Sequence, residues 1–468
     1  MVASQALDRR SSLTKNQWLV VGTASIGSML EFWDQYLIAF ILAFVIRPWN
    51  LSFGTTAVVL LSSGVGGIFG GLVWGYCADR FGRKPTFVIT ILVFSAASLA
   101  LAFTPDQNWV YLSIFRAVLG FGTGGFFVPV TLVQELIPAA LRGRAVGIVS
   151  ATTSGGLLLG ALCGAFVVPL IGWRGMFAVG ALPALFAVFA WFVLPESPRW
   201  AALKGKLDLA RTSLAWSLQS KPAEVDLAPL LSAERSTGVH FRDLLRYPRS
   251  LITGILINLG VVTGYYGFVL WAPTLLTQVQ GWMPAEAARV MIGFTVGGIV
   301  ARLVVSNLVD PLGRKLCGGV LTLLAAVFLM LAAFTAHGDI FSRDLFWLPL
   351  LVAFIMADGY FMVNGLYTSE IWPSRLRGLG SGVSFAASGV GKITGPLGLA
   401  LVAGSANLIL PKATIAAIVP SFGYLAFWFI LVSVTMFFIG METKGRTLEQ
   451  IESDLSGAPQ PAEAAVAS

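Results

Sequence analysis

The sequence predicts an all-α membrane protein with twelve transmembrane helices in two six-helix bundles. Three observations lead to this prediction. The 468 residues are 56% apolar and only 12% charged, about half the charged share of a typical soluble domain. Apolar runs long enough to cross a bilayer recur along the chain. Short motifs of the first half return in the second half.

The apolar runs define the predicted spans. Each holds roughly 20 residues or more, which is the length of a helix that crosses the hydrocarbon core of a bilayer. The first run is too long for a cleaved signal peptide, so none is expected. In chain order, spans 1 to 12 are predicted at residues 18–46, 55–78, 84–103, 108–133, 145–170, 174–195, 251–278, 287–308, 316–335, 345–369, 377–403 and 414–440.

A polar interval between spans 6 and 7 divides the chain into four predicted parts. A six-helix bundle over 1–195 is followed by a cytoplasmic linker over 196–250. A second six-helix bundle over 251–440 is followed by a cytoplasmic tail over 441–468. The linker contains "ALKGKLDLARTSLAW", which is typical of a short amphipathic helix at a membrane surface.

The basic residues predict the orientation. Most of the 31 Lys and Arg residues lie in segments that are cytoplasmic if the N-terminus is inside. This bias follows the positive-inside rule and predicts a multi-pass protein of the cell (inner) membrane with both termini in the cytoplasm. Because the net charge of +8 follows this topology, it does not indicate nucleic-acid binding. The three cysteines and two histidines lack the spacing of a metal site, so no metal or cofactor is expected.

Two pairs of motifs repeat between the halves at nearly the same offset. "GYCADRFGRK" (Gly75–Lys84) joins spans 2 and 3, and "SNLVDPLGRK" (Ser306–Lys315) joins spans 8 and 9. "QELIPAALRG" (Gln134–Gly143) follows span 4, and "SEIWPSRLRG" (Ser369–Gly378) follows span 10. An internal repeat of six spans is typical of secondary transporters, in which the substrate site lies at the interface between the halves.

These motifs resemble those of the major facilitator superfamily. "GYCADRFGRK" is similar to the loop between its second and third helices, and "RAVLGFGTGG" from Arg116 is similar to its fourth-helix motif. "PESPRW" (Pro195–Trp200) and "METKGRTLEQIE" (Met441–Glu452) resemble the ends of the two halves in sugar porters and their organic-acid relatives. "GSMLEFWDQYLIAF" resembles the first helix of metabolite:proton symporters. The resemblance implies the major facilitator fold and transport by alternating access.

The resemblance assigns a gating role to charged residues in the loops after spans 2, 4, 8 and 10. An acid–base latch there would hold the cytoplasmic side shut. The alternative is that the bases only anchor the chain at the membrane surface. Pro311 and Ser306 replace the residues that would match Arg80 and Gly75, so the second latch is expected to be weaker. The candidate gating residues are Asp79, Arg80, Arg83, Asp310 and Arg314, extended by Glu135 with Arg142 and by Glu370 with Arg377.

Two carboxylates, Glu31 and Asp34, lie near the middle of span 1. Because they are three residues apart, they share one helix face. A charged carboxylate at the bilayer centre costs about 2.5–3.5 kcal/mol, so both are expected to face the bundle interior. A buried carboxylate whose surroundings alternate can take up a proton on one side and release it on the other.

No histidine lies in the predicted spans, so proton coupling is predicted for Asp34, Glu31 and Arg116. The first-helix Asp and fourth-helix Arg of sugar porters form an ion pair, and the resemblance implies that Arg116 pairs with Asp34. The alternative is a static pair that only fixes packing. Which of the two carboxylates carries the proton stays open.

The second half has its own charges within spans 8, 10 and 11. If Asp358 pairs with one of the two bases, the other remains, and a remaining cation suits an anionic substrate. Alternatively, all the intramembrane charges neutralise one another. Nearby Tyr and Asn side chains can donate and accept hydrogen bonds. The candidate substrate-binding residues are Arg302, Lys392, Asp358, Tyr265, Tyr266 and Asn364.

These residues predict a monomeric secondary transporter that carries a small organic acid, with aromatic carboxylates among the candidates, together with protons across the lipid bilayer. A sugar:proton symporter is the nearest alternative, although span 7 ("LINLGVVTGYYGFVLWAP") lacks the Gln-rich pattern of sugar porters. A proton-driven exporter of drugs or metabolites is a further alternative. An enzyme is not expected, because the sequence has no nucleophile–base or metal constellation.

Overall fold

A computed structural model gives the fold of the chain. It describes residues 12–225, 227, 241–338, 340–373 and 376–444. The predicted cytoplasmic tail therefore lies almost wholly outside the described residues. Within the described residues the regular elements are all helices, and the β-pairing there is one isolated bridge between Ser52 and Leu408. The all-α prediction is confirmed.

Eleven helical stretches of the described chain are long and apolar enough to cross a membrane. One of them, Leu141–Val193, holds 53 residues. A continuous helix of that length would extend about 80 Å, whereas the hydrocarbon core is about 30 Å thick. Gly172, with φ +72° and ψ 167°, interrupts its helical backbone. The stretch therefore contains two crossings, spans 5 and 6, and the twelve-span fold is confirmed.

The helices begin and end close to the predicted bounds. Spans 1 to 4 are Lys15–Val45, Phe53–Phe81, Arg83–Ala102 and Trp109–Leu136. Spans 5 and 6 comprise Ala139–Leu162, Val168–Val179 and Pro183–Val193. Spans 7 to 12 are Pro248–Val269, Pro284–Leu312, Arg314–His337, Trp347–Glu370, Arg377–Ala403 and Pro411–Ile439. A separate short helix, Ala272–Gln280, follows span 7.

The chain folds into two compact units. The first is made of Met1–Trp49 and Ser62–Thr237, and the second of Asn50–Leu61 and Gly238–Ser468. The sequence places the whole of span 2 in the first bundle, but the start of span 2 belongs to the second unit. The cause is backbone pairing: the N–H groups of Phe53 and Gly54 donate to the carbonyls of Asn407 and Ser405 at 3.0 and 2.9 Å.

The described part of the linker contains two short α-helices that belong to the first unit. Pro198–Leu203 and Leu207–Leu218 are separated at Gly205, whose φ of +71° favours glycine. Trp200 and Leu214 are buried in a small apolar cluster between them. The linker therefore has a core of its own.

The N-terminus of span 1 binds to this linker. Thr14 and Gln17 form a capping box that satisfies the first helical N–H groups. The Gln17 amide also donates to the Leu136 carbonyl at 3.1 Å and to the Ser217 hydroxyl at 3.2 Å. These bonds connect the start of span 1, the end of span 4 and the linker within one polar cluster.

Spans 2 and 4 approach each other closely in the first unit. A Cβ atom on Gly120 would lie 2.0 Å from the Ser63 carbonyl oxygen, so only glycine fits at this crossing. Small residues allow such backbone contact between membrane helices. Arg116 lies one turn before Gly120, and the approach brings its guanidinium beside the Ser63 hydroxyl at 3.0 Å.

Candidate functional site

Span 1 buries both of its carboxylates in the first unit. The exposed fraction is 0% for Asp34 and 6% for Glu31. The Ser98 hydroxyl of span 3 donates to Asp34 Oδ1 at 3.3 Å. The other oxygen, Asp34 Oδ2, has no hydrogen-bond partner in the described chain. The Asp34 carboxylate is therefore completely buried and receives only one long hydrogen bond among the described residues.

Arg116 lies beside Asp34 but does not form the expected ion pair with it. Its guanidinium donates to the backbone carbonyls of Asp34 and Gln35, both at 3.3 Å, and to the Ser63 hydroxyl. The Asp34 carboxylate has no ion pair among the described residues. The prediction of a direct Asp34–Arg116 pair is wrong because span 1 presents its backbone, not the carboxylate, to the guanidinium.

The second unit contains a closed charge pair. Arg302 of span 8 donates two hydrogen bonds to Asp358 of span 10, from Nε to Oδ2 and from Nη2 to Oδ1, each at 2.8 Å. The Tyr265 hydroxyl of span 7 donates to Asp358 Oδ1, also at 2.8 Å. Bidentate geometry is the strong form of a charge-assisted hydrogen bond. The structure thus assigns Arg302, not Lys392, as the partner of Asp358.

Aromatic rings and a glycine make room for this pair. The Arg302 guanidinium lies 5.4 Å from the ring centre of Phe361, within the range of a cation–π contact. The ring of Tyr265 lies edge-on to Phe361 at 4.9 Å. A Cβ atom on Gly298 would lie 2.8 Å from Asp358 Oδ2. A larger residue at position 298 would therefore displace the carboxylate.

Lys392 and Asn364 lie in separate surroundings within the second unit. The Lys392 ammonium lies 5.4 Å from the ring centre of Tyr266. Asn364 donates to Asn258 Oδ1 at 3.0 Å, and Asn258 in turn donates to the Thr368 hydroxyl at 3.1 Å. The rings of Tyr265 and Tyr266 are in contact at 6.0 Å, so five of the predicted substrate residues form one connected group, whereas Asn364 bonds to other polar side chains.

The loop after span 2 forms an ion-pair cluster around Arg83. The guanidinium lies 3.0 Å from Asp79 and 3.4 Å from Glu135. The Asp79 side chain is 77% exposed, so its pair with Arg83 is screened by solvent and contributes little to stability. Arg80 is exposed and lies over the Phe81 ring, outside this cluster.

The matching loop after span 8 has the shorter contacts. Arg314 lies 2.8 Å from Asp310 and donates two hydrogen bonds to Glu370 at 3.0 and 3.2 Å. The Thr443 hydroxyl also donates to Glu370. By distance this cluster is the tighter of the two, contrary to the expectation from Pro311. The gating role of both clusters stays a prediction.

Glu135 and Glu370 extend the two loop clusters, as the sequence predicts, but neither forms an ion pair with Arg142 or Arg377 among the described residues. Glu135 and Glu370 lie at the ends of spans 4 and 10, where they contact arginines of the preceding loops instead. The Arg142 guanidinium donates to the Ile137 carbonyl at 2.9 Å. Because each helix ends between the acid and the base, the seven-residue spacing does not bring their side chains together.

Two glutamates cap the helices that follow these loops. Glu196 accepts the N–H groups of Arg83 and Lys84 at 2.8 and 3.2 Å. Glu442 accepts those of Arg314 and Lys315 at 3.0 and 3.2 Å. A carboxylate at a helix N-terminus satisfies orphan donors and complements the helix dipole. The two halves therefore use the same cap.

Burial raises the pKa of the Glu196 carboxyl above its ordinary value. This effect outweighs the opposing influence of the backbone N–H groups of Ser197, Lys84 and Arg83 and of the Arg83 charge. The folded chain consequently holds a proton on Glu196 more tightly than the unfolded chain does.

Sequence reasoning missed several residues of these sites. Glu196 and Glu442 lie in the quoted motifs "PESPRW" and "METKGRTLEQIE", so an acid near a helix start was the available signal. Phe361 lies one turn after Asp358 on span 10 and could be inferred from that spacing. Ser98 and Asn258 carry no signal, because single polar residues on apolar helices are common and their partners are distant in sequence.

Comparisons with known proteins agree with this fold. The family model described as "Sugar (and other) transporter" matches residues 20–455. The niacin transporter NiaP of Acinetobacter baylyi is 29% identical over 93% of this chain and 97% of its own length. The cis,cis-muconate transport protein of the same organism is 24% identical over 86% of this chain and 91% of its own length. The inward-open structure of the xylose transporter XylE from E. coli has a TM-score of 0.72 at 22% identity, covering 93% of this chain and 99% of that one.

Asp358→Ala should lower the free energy of unfolding by about 3–5 kcal/mol, because it leaves the largely buried Arg302 without its carboxylate partner. Asp310→Ala is the matched control: it removes a carboxylate that is 75% exposed and should cost about 1 kcal/mol or less. Denaturant unfolding of the purified protein in detergent measures both values. Equal losses would contradict the closed charge pair.

Glu196→Gln should become more stable relative to the parent as the pH rises. The raised pKa of Glu196 contributes stability at low pH, and that contribution is lost as the pH rises through the raised value. The glutamine has no such dependence. Melting temperatures of the two proteins, compared from the ordinary pKa of 4.5 upward, measure the effect. Asp106→Asn, at a carboxylate that is 80% exposed, is the control. If the melting temperature of Glu196→Gln falls relative to that of the parent as the pH rises, the assignment is contradicted.

Proposed function

We propose that this chain, which belongs to the sugar (and other) transporter family, carries a small organic acid inward together with protons by alternating access. Membership of that family makes it a multi-pass membrane transporter and not an enzyme. One observation carries the proton part of the proposal: Asp34 is fully buried within a membrane-spanning helix, and its carboxylate has no ion pair in the described chain.

A carboxylate in this position favours proton exchange. A buried charge without a close counter-ion is costly, and taking up a proton removes that cost. Arg116 approaches from span 4 and supplies positive charge without binding the carboxylate directly. A modest change in that approach would shift the balance between charged and neutral Asp34. Such a group is suited to carry a proton through a transport cycle.

The organic-acid part of the proposal is supported by charge and by the relatives. Lys392 is the base that we propose for anion recognition in the second unit. Its ammonium lies over the Tyr266 ring, where an aromatic carboxylate would find both charge and an apolar wall. Niacin and cis,cis-muconate, the compounds named for two relatives, are both carboxylic acids.

A sugar:proton symporter is the rival proposal. The family description and the xylose transporter of similar fold favour it. In that case the binding residues would be neutral donors and acceptors such as Asn364 and Asn258, and the charge of Lys392 would not matter for substrate. Uptake into vesicles of labelled nicotinate, nicotinamide, cis,cis-muconate and xylose, with and without an inward proton gradient, separates the two proposals. Accumulation of xylose alone would replace the organic-acid proposal with the sugar proposal.

Asp34→Asn should abolish accumulation driven by a proton gradient but retain counterflow exchange, because exchange needs no net proton movement. Labelled nicotinate in proteoliposomes is the probe for both assays. Glu31→Gln, at the neighbouring carboxylate of the same helix face, is the matched comparison that decides which acid carries the proton. Full accumulation by Asp34→Asn would remove this residue from the coupling mechanism.

Lys392→Gln should weaken nicotinate binding by about 2–5 kcal/mol if the lost charge pair is desolvated. Binding of nicotinamide, the neutral amide of the same ring, should change far less. Lys412→Gln, at an exposed lysine of the same unit, should leave both affinities unchanged. Competition binding to the purified protein measures them. Equal effects of Lys392→Gln on the acid and the amide would contradict anion recognition by this residue.

A further inference from the structure

Ser98 connects Asp34 to the second half of the long Leu141–Val193 stretch. Its hydroxyl lies 3.3 Å from Asp34 Oδ1 and 3.1 Å from the carbonyl oxygen of Phe177. Ser98 and Asp34 are both 0% exposed. A serine hydroxyl has one proton to donate and can accept in return. Ser98 therefore cannot donate fully to both acceptors at the same time.

The Phe177 carbonyl depends on this hydroxyl. The helix Val168–Val179 ends just after it, and the next N–H groups bond elsewhere: Gly180 to the Met176 carbonyl and Ala181 to the Ala178 carbonyl. Among the described residues, Ser98 supplies the hydrogen bond that the Phe177 carbonyl receives at this helix end. A buried carbonyl without a donor is costly.

The space around the hydroxyl is closed. A Cβ atom on Gly180 would lie 2.1 Å from Ser98 Oγ and 3.0 Å from the Phe177 carbonyl oxygen. Only glycine at position 180 leaves room for the serine to bridge span 1 and the turn after Phe177. The contact is therefore a tightly packed three-way junction of spans 1, 3 and 6.

We propose that Ser98 is a positioning residue that exchanges its hydrogen bond according to the proton state of Asp34. This rests on the proposed role of Asp34 in proton coupling. When Asp34 is charged, Ser98 donates to it and the Phe177 carbonyl loses its donor. When Asp34 is protonated, the carboxyl proton is donated to Ser98 Oγ and the serine proton turns to the Phe177 carbonyl. Asp34 gains one proton, and no other covalent bond changes.

The exchange of the Ser98 hydrogen bond couples the proton on Asp34 to the backbone of span 6. Protonation of Asp34 completes the hydrogen bonding at the end of the helix Val168–Val179, whereas deprotonation loosens it. The other charged groups near Asp34 are Arg116, which approaches from span 4, and Glu31, one turn earlier on span 1. Ser98 is the described residue whose hydroxyl lies within hydrogen-bond distance of both Asp34 and the Phe177 carbonyl, so it connects the proton to span 6.

The test follows the carboxyl band of Asp34 by infrared spectroscopy during a pH titration of the full-length protein without substrate. The band is assigned by its loss in Asp34→Asn. Ser98→Ala removes the donor that stabilises the charged carboxylate, so the midpoint of the titration should move to higher pH by about one unit. Ser95→Ala is the matched control: Ser95 is buried one turn earlier on span 3, and its hydroxyl has no partner in the described chain. Its midpoint should equal that of the parent.

Three results would overturn the role of Ser98. They are an unchanged midpoint in Ser98→Ala, an equal shift in Ser95→Ala, and the absence of an Asp34 band in the parent across the titration. The measurement uses no substrate, so a failure of the organic-acid proposal in the uptake assay leaves this test intact. A second measurement reports the coupled helix end. The protection of the amides at 178–182, expressed relative to their intrinsic exchange rates at each pH, should be higher below the midpoint than above it in the parent and should not change across the midpoint in Ser98→Ala.

Discussion

A fully buried carboxylate within a membrane-spanning helix is the constraint on which the first unit depends. Asp34 has to be neutralised by a base, bound by donors or protonated, because an isolated charge in this setting is costly. In the structure, neutralisation by a base and binding by hydrogen-bond donors are both incomplete. Arg116 lies close but binds the backbone of span 1, and Ser98 offers one long hydrogen bond. Protonation is the third solution, and it removes the charge altogether.

The second unit solves the same problem in the opposite way. Asp358 receives two hydrogen bonds from Arg302 and one from Tyr265, all at 2.8 Å. A charge pair with this geometry is expensive to break, which suits a fixed framework better than a changing one. We infer that the two units have different roles. The first unit exchanges the proton, and the second unit recognises the anion through Lys392.

The length and apolarity of the spans could be predicted from the sequence, because bilayer thickness sets both. The interval of 171–173 left between predicted spans 5 and 6 contains Gly172, where the helical backbone is interrupted. Side-chain partners were harder to predict. Arg142 lies near Glu135 in sequence, yet Glu135 pairs with Arg83 because a helix ends between the first two. Ser98 gave no signal at all, because its partners lie on spans 1 and 6 and only the packed fold brings them together.

The central claim is that Asp34 takes up a proton when substrate enters. Proton movement measured with a pH indicator outside de-energised proteoliposomes tests it most directly. Adding unlabelled nicotinate should make the external medium more alkaline with the parent protein and should produce no pH change with Asp34→Asn. Transport of nicotinate by the parent protein without any change in external pH would contradict the account.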